Sequence, residues 1–418
     1  MNLPPAQPPH LNRPALTAAA PAPRTAIVHE WFDSYAGSER VVEQLLKLYP
    51  DADVFGLVDH LPNSERAFLH GKTVHTSFLQ KFPWVKKYFR HLLPLMPLAV
   101  EQYDLTAYDV LLSSNHAVAK GVLTRSDQLH VSYVHTPIRY AWDMQQEYLR
   151  GAKLNWGLKS ALVRATLHYL RLWDRAAADR VDVFVANSKF VAGRIARAYR
   201  RAAHVVYPPV AIDKFPLSRD RGDYYVTASR LVPYKRVDVL VDAFRELPDR
   251  KLIVVGDGPE LKSLRQRAPS NVEFAGRLAD DALAAQVGGA KAFLFAAEED
   301  FGISPVEAQA CGTPVIAYGR GGSAETVRNG ETGLHFAEQT PAAAADAVRR
   351  FERQAGNFSP ERCREHAESF SESRFRGEMK DLIERAWDAF VARGRNLHPW
   401  EVDDVARHPH ASTSTTNR

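Results

Sequence analysis

Cysteine is almost absent. Cys311 and Cys363 are the two in 418 residues, too few for a disulfide framework and in keeping with a reducing, cytoplasmic setting. Long apolar runs are missing too. No stretch of about 18 consecutive apolar residues occurs, so the sequence offers no membrane-spanning helix. The opening segment, MNLPPAQPPHLNRPALTAAAPAPR, is rich in proline and alanine and lacks the apolar core of a signal peptide, so secretion by that route is not expected. Nor does one charge dominate: 54 basic residues against 49 acidic ones give a net charge of +5 and a pI near 9.0. That balance favours anionic partners, but it is too small to choose between nucleic acid, phosphorylated ligands and a lipid surface. Hydrophobic residues at 45% and charged residues at 25% are ordinary for a soluble globular chain and exclude a collagen-like or largely disordered one. At roughly 100–200 residues per domain, this length holds two domains, or three.

Residues 1–23 and 396–418 are expected to be disordered tails, since their composition buries too little apolar surface to offset ordering entropy. His398, His408 and His410 read as part of the second tail and not as a metal site. Between the tails, short β-branched apolar runs bounded by turn residues alternate with helical-period segments. Residues 25–32, 53–58, 110–114, 130–135, 181–187 and 204–208 predict buried parallel strands, with helices at 40–49, 156–178 and 189–199. After a polar connection the alternation restarts. Strands are predicted at 224–229, 251–256, 272–276, 291–296, 314–318 and 333–336, and helices at 237–246, 260–267, 280–286, 305–310 and 341–351. The fold class is therefore α/β, with two Rossmann-like, doubly wound parallel-sheet domains. They are placed at 24–212 and 213–370, with a helix at 371–395 returning to the first. Ligands of open α/β sheets bind beyond the carboxyl ends of strands, so the site belongs in a cleft between the domains.

The strongest chemical signal follows the strand at 291–296. Glu299 stands at its carboxyl end, Gly302 permits close backbone approach, and the next helix aims free N–H groups and its dipole at an anion. Glu307 lies in the first turns of that helix. Two acids around an anion-binding turn suit a diphosphate flanked by two polyhydroxyl rings. The plainer alternative makes Glu299 an exposed loop acid and Glu307 a partner of the helix dipole. A second constellation, Ser229-Arg230-Leu231-Val232-Pro233-Tyr234-Lys235-Arg236, follows the first strand of the second domain. There Arg230 and Lys235 can converge on phosphate as a bidentate fork and a point charge. Asp51-Ala52-Asp53 has the form of a metal-binding D-x-D, but it opens a first-domain strand far from these motifs. No metal and no other cofactor is expected.

The E-x7-E pair Glu299/Glu307, within EEDFGISPVEAQACGTPVIAYGRGGSAETV, resembles the signature of glycosyltransferase family 4, retaining enzymes with two Rossmann-like domains (the GT-B fold). The resemblance runs from about Ala26 to Phe390. It implies that Glu299 holds the donor sugar hydroxyls and Glu307 the nucleotide ribose, with the backbone of Phe301, Gly302, Ile303 and Ser304 on the diphosphate. Arg230 and Lys235 match the family's R-x4-K spacing and would stabilise the departing nucleoside diphosphate without a metal. The resemblance puts Gly256, Arg277 and Leu278 beside the nucleobase. It also matches Gly37, in Tyr35-Ala36-Gly37-Ser38, to a glycine-rich loop near the donor phosphates; Ala36 replaces the first glycine of that loop. His135, before Thr136-Pro137, is implied beside the donor sugar, orienting it or stabilising charge. Cys311 reads as buried and inert.

HEWF at 29–32, HTPIRYAWD at 135–143 and VYPPV at 206–210 are similar to bacterial mannosyltransferases of exopolysaccharide or O-antigen assembly. That likeness implies GDP-mannose as donor and a lipid-linked saccharide as acceptor, with no nucleic-acid partner. Other readings remain open here: a UDP-sugar-dependent transferase or epimerase, or a non-enzymatic binder of sugar nucleotide or nucleic acid. Residues 81–90 hold Lys81, Lys86, Lys87 and Arg90 with four aromatics and no acid. Such a segment suits an anionic membrane surface on the inner face of the cytoplasmic membrane, with Trp84 and Phe89 as interfacial anchors. Alternatively it is a helix packing its aromatics inward.

Overall fold

The computed structural model describes residues 23–152, 154, 156–392 and 394; apart from Pro23, the tails expected at 1–23 and 396–418 lie outside the described residues. The first sheet comprises β1 (Thr25–His29), β2 (Asp53–Gly56), β3 (Val74–Thr76), β4 (Val110–Asn115), β5 (Leu129–Val134), β6 (Val183–Ala186) and β7 (His204–Val205), in the order β3-β2-β1-β4-β5-β6-β7. Every pairing is parallel, with Ile27 opposite Val54 on one side and Leu112 on the other. The second sheet comprises β8 (Tyr224–Ala228), β9 (Lys251–Val255), β10 (Val272–Gly276), β11 (Ala292–Phe295), β12 (Val315–Tyr318) and β13 (Gly333–Phe336), ordered β10-β9-β8-β11-β12-β13 and again parallel.

Both faces of each sheet are covered, which is why the strands read as unbroken apolar runs. Ile27 packs with Val41 and Leu45 on one face, while Ala26 and Val28 pack with Leu111 on the other. Strand order reverses between β1 and β4 and again between β8 and β11, and crevices open at such switch points. The last helix, Glu372–Ala392, buries Phe375, Met379, Leu382, Ile383, Ala386 and Phe390 in the core of the first domain. These positions follow the i, i+3, i+4 pattern of a single helical face, which is committed to that core.

Several boundaries differ from the sequence reading. β1 stops at His29, because Glu30 turns its buried carboxylate to neighbouring amides. β7 is two residues long, and β3 was not foreseen. The helix expected at 305–310 starts at Ile303; Pro305 fits its first turn, where an N–H has no intrahelical partner. Residues 81–90 form no continuous helix: Trp84 has φ 54°, Val85–Tyr88 makes one turn, and Phe89–Leu95 continues as a 3-10 segment. Phe89 is buried, its ring edge-on to Trp31 at 5.5 Å. It is an interior residue, not an interfacial anchor. Trp84 remains 79% exposed, and the four cations of this segment are on the surface.

Candidate active site

At the carboxyl end of β1, Glu30 is fully buried. Its Oε1 accepts the backbone N–H groups of His116, Ala117, Val118 and Ala119 at 2.8, 2.6, 3.0 and 3.2 Å. Its Oε2 lies 2.7 Å from His116 Nδ1. Burial alone would raise the Glu30 carboxyl, but His116 and the amides hold it far below the usual carboxylate range. Burial likewise opposes protonation of His116, and the adjacent carboxylate outweighs it, raising that imidazole above its ordinary value. His135 is the opposite case. Burial, reinforced by the neighbouring His116 and His29, pulls it down to about 3, so its ring is neutral. Ser114 Oγ sits 2.8 Å from its Nε2. The first domain thus presents two imidazoles shifted in opposite directions side by side, with ring centroids 6.4 Å apart.

Two cavities adjoin, the first between the domains and the second within the second domain. One, of about 400 Å³, is lined by Gly37, His116, His135, Arg139, Lys235 and Glu299, with Phe301, Gly302, Ile303 and Ser304 among its further walls. The other, of about 520 Å³, is lined by Arg230, Gly256, Arg277, Leu278, Ser304 and Glu307 among others. Ser304 borders both. Each donor-site and catalytic residue named from the sequence therefore falls on one of the two walls. Lys81, Trp84, Lys86, Lys87 and Arg90 border neither cavity.

Local geometry explains the placement. Glu299 and Arg230 follow β11 and β8, the two strands flanking the switch point. Gly256 adopts φ 130°, and a Cβ there would sit 1.9 Å from the Ser229 carbonyl oxygen, so only glycine fits that approach. A Cβ on Gly37 would come within 3.1 Å of Ile303 Cδ1 across the cleft, so the bare backbone lets the domains meet. The Phe301 ring is interior, 5.8 Å from Tyr207 and 5.5 Å from Phe370, which leaves its backbone for the cavity. Cys311 is buried, its thiol pushed up to about 12 by burial. Asp53, at the amino end of β2, bonds Tyr108 Oη at 2.7 Å, at the end of the strand away from the cleft.

Ion pairs cross this cleft. Glu307 pairs with Arg40 of the first domain at 2.9 Å. Asp300 binds both Arg139 and Arg194, the latter at 2.6 Å. Glu325 accepts the N–H groups of Lys189 and Phe190, each at 2.8 Å, where the helix Lys189–Tyr199 begins. Lys235 pairs with Glu299 inside the second domain. Sequence reasoning missed Glu30, His116, Arg139, Asn187, Tyr234 and Asp300. Arg139 and Asp300 stand beside motif residues that were recognised, and Glu30 continues an apolar strand with a charge, which was the available signal.

The Glu30–His116 pair makes a pH prediction. A raised histidine contributes stability that is complete below about pH 6.5 and lost as pH rises through its folded value. A depressed carboxylate contributes stability present above about pH 4.3 and lost as pH falls. The melting-temperature gap between the parent and Glu30→Gln should therefore be widest between those limits, narrowing as pH rises through the imidazole's folded value and as it falls through the carboxylate's. A gap that stays flat as pH rises above about 6.5 would show that His116 contributes no proton-linked stability.

A family model described as Glycosyltransferase Family 4 matches residues 35–214, and one described as Glycosyl transferases group 1 matches residues 211–370. The chain belongs to glycosyltransferase family 4. A GDP-mannose-dependent alpha-(1-6)-phosphatidylinositol monomannoside mannosyltransferase of Mycobacterium tuberculosis is 35% identical over 205 residues, covering 42% of this chain and 53% of that relative. A GDP-mannose-dependent monoacylated phosphatidylinositol monomannoside mannosyltransferase of Corynebacterium glutamicum is 40% identical over 114 residues, 24% of this chain and 30% of its own length. The chain thus spans about half the length, or less, of these curated relatives. Among solved structures, HepE of Anabaena in complex with UDP and glucose superposes with a TM-score of 0.62 at 18% identity, covering 86% of this chain and 99% of that one. Sucrose-phosphate synthase of Thermosynechococcus elongatus gives a TM-score of 0.66 at 18% identity, over 88% and 100%.

Proposed function

We propose that the protein is a retaining hexosyltransferase that moves mannose from GDP-mannose to a lipid-linked saccharide in the assembly of a bacterial surface polysaccharide. The observation that carries this reading is the joining of the two cavities at Ser304. One holds Glu299, Lys235 and His135, and the other holds Glu307, Arg230 and Arg277. A sugar in the first and a nucleoside in the second leave the diphosphate at the start of the helix Ile303–Ala310, where unpaired N–H groups and the helix dipole meet it. Glu299 accepts hydrogen bonds from sugar hydroxyls, and Glu307 from the ribose. Lys235 and Arg230 neutralise the charge that grows on the departing diphosphate, the work a metal performs elsewhere. His135, neutral, offers a hydrogen bond to the sugar and not a charge. The names of the relatives support mannose and guanosine. The surface cations Lys81, Lys86, Lys87 and Arg90 support peripheral binding to the inner face of the cytoplasmic membrane.

In this reading GDP raises the melting temperature in the presence of EDTA, and more than UDP does. GDP-mannose should also be hydrolysed slowly without acceptor, ahead of UDP-glucose and UDP-galactose. Stabilisation by UDP alone would move the donor to a UDP-sugar. A strict need for Mg²⁺ or Mn²⁺ would overturn the metal-free assignment.

A further inference from the structure

The longest helix of the first domain, Leu158–Ala178, carries two apolar faces where one would suffice. Its inner face is accounted for. Leu167 and Leu170 pack with Ile138 and Ala141, and Leu93 joins the same cluster. Buried Asp174 pairs with Lys120 and accepts from Trp142 Nε1 at 2.7 Å. Arg171 donates to the Ala141 carbonyl at 2.9 Å. These contacts brace the loop that holds Arg139 against Asp300.

The outer face is unpartnered. Leu158, Leu162, Ala165, Tyr169, Leu172 and Ala176 follow one another at alternating spacings of four and three residues, and all are exposed. Leu158 is 89% exposed, Leu162 69% and Leu172 61%, and Trp156, just before the helix, is 89% exposed. Contiguous apolar surface of this kind marks an interaction site. The flanks decide what covers it. Two cations, Lys159 and Arg175, border the stripe on its opposite edges, and the helix has one acid, Asp174, which is fully buried. Asp179, at the C-terminal end, pairs with Arg175 at 2.7 Å. A second copy of the helix would set these cations against the same cations, whereas paired helices rely on opposite charges along their flanks. An apolar stripe edged by cations, with a tryptophan and a tyrosine, matches an anionic bilayer surface. Leu93 ties the 3-10 segment Phe89–Leu95 to the inner face of this helix.

We infer that the outer face of Leu158–Ala178 inserts into the interfacial layer of an anionic membrane and is the main anchor of the protein there. The cations at 81–90 then act only as an electrostatic supplement. This rests on the membrane-facing part of the proposed function and names the element that performs it. Because the same helix braces the Arg139 loop, docking would hold the acceptor side of the cleft at the bilayer surface. No helix among the described residues is long and apolar enough to cross a membrane, so binding stays peripheral.

The test is co-sedimentation of the full chain with vesicles of phosphatidylcholine, with and without 30 mol% phosphatidylglycerol. Three proteins are compared: the parent, a Leu158→Ser/Leu162→Ser/Leu172→Ser variant, and a variant with Lys81, Lys86, Lys87 and Arg90 changed to Ser. We expect the leucine variant to lose anionic-vesicle binding by about 10-fold or more at both low and high salt. The cation variant should lose only the salt-sensitive part. Stabilisation by GDP without vesicles should be the same in the parent and the leucine variant, which separates failure of the anchor from failure of the donor site or of folding. Unchanged vesicle binding by the leucine variant would overturn the inference. So would sedimentation equilibrium showing a parent dimer that the leucine substitutions dissociate, since the stripe would then be a self-association seam.

Discussion

Glu299→Gln is expected to lower sugar transfer by about 10²–10³-fold, equivalent to about 2.7–4 kcal/mol of transition-state stabilisation, the scale seen when a preorganised charge-stabilising group is removed. The carboxylate sits at the carboxyl end of β11, on the wall of the smaller cavity, bound to Lys235. Glutamine keeps the volume but loses the charge that fixes both the lysine and the hydroxyls expected to face it. Glu299→Ala should fall at least as far, and Glu307→Ala should also reduce transfer strongly. Circular dichroism and melting temperature should stay near the parent's, because Glu299 lies outside the apolar clusters of the second domain. Transfer at the parental rate by either Glu299 variant would remove this residue from the donor site.

The second large effect concerns charge alone. Arg230→Ala combined with Lys235→Ala should weaken GDP binding by about 10²-fold or more, taking about 1.5–3 kcal/mol for each hydrogen bond to a charged group. Guanosine affinity should change little. The asymmetry is the informative part, because both cations are assigned to the diphosphate while the nucleoside occupies the cavity lined by Gly256, Arg277 and Leu278. Calorimetric titration with GDP and guanosine measures both. Equal losses for the two ligands would place the cations elsewhere.

Much of this site was legible in sequence because its parts are local. Glu299, Gly302 and Glu307 lie within one strand–turn–helix unit, and Arg230 and Lys235 within another, so spacing alone brings them together. Asp300 was passed over because its partners, Arg139 and Arg194, are far away in the chain and meet it only when the domains face each other. Glu30 escaped notice for a similar reason: the four amides it binds belong to residues 116–119. Strands buried on both faces, such as β1 and β5, announce themselves by composition. β3 has three residues, too few to show a period. The aromatics of residues 81–90 were ambiguous because inward and outward rings have the same composition, and it took the turn at Trp84 to separate buried Phe89 from its exposed neighbours. The outer stripe of Leu158–Ala178 was not legible, since the sequence puts apolar residues on two sides of the helix without showing which side is covered.

The last helix has a consequence for how the chain is made. The strands of the first sheet are complete at Val205, but the residues that close one side of its core, from Phe375 to Phe390, follow more than 160 residues later. Between them lies the whole second domain. At ribosomal rates of about 5–20 residues per second, the nascent first domain waits on the order of 10–40 s with that apolar face uncovered. The second domain, contiguous in sequence, can finish during the wait. The half of the molecule that is translated first is thus sealed last, and it is the half that a nascent-chain chaperone would need to shield.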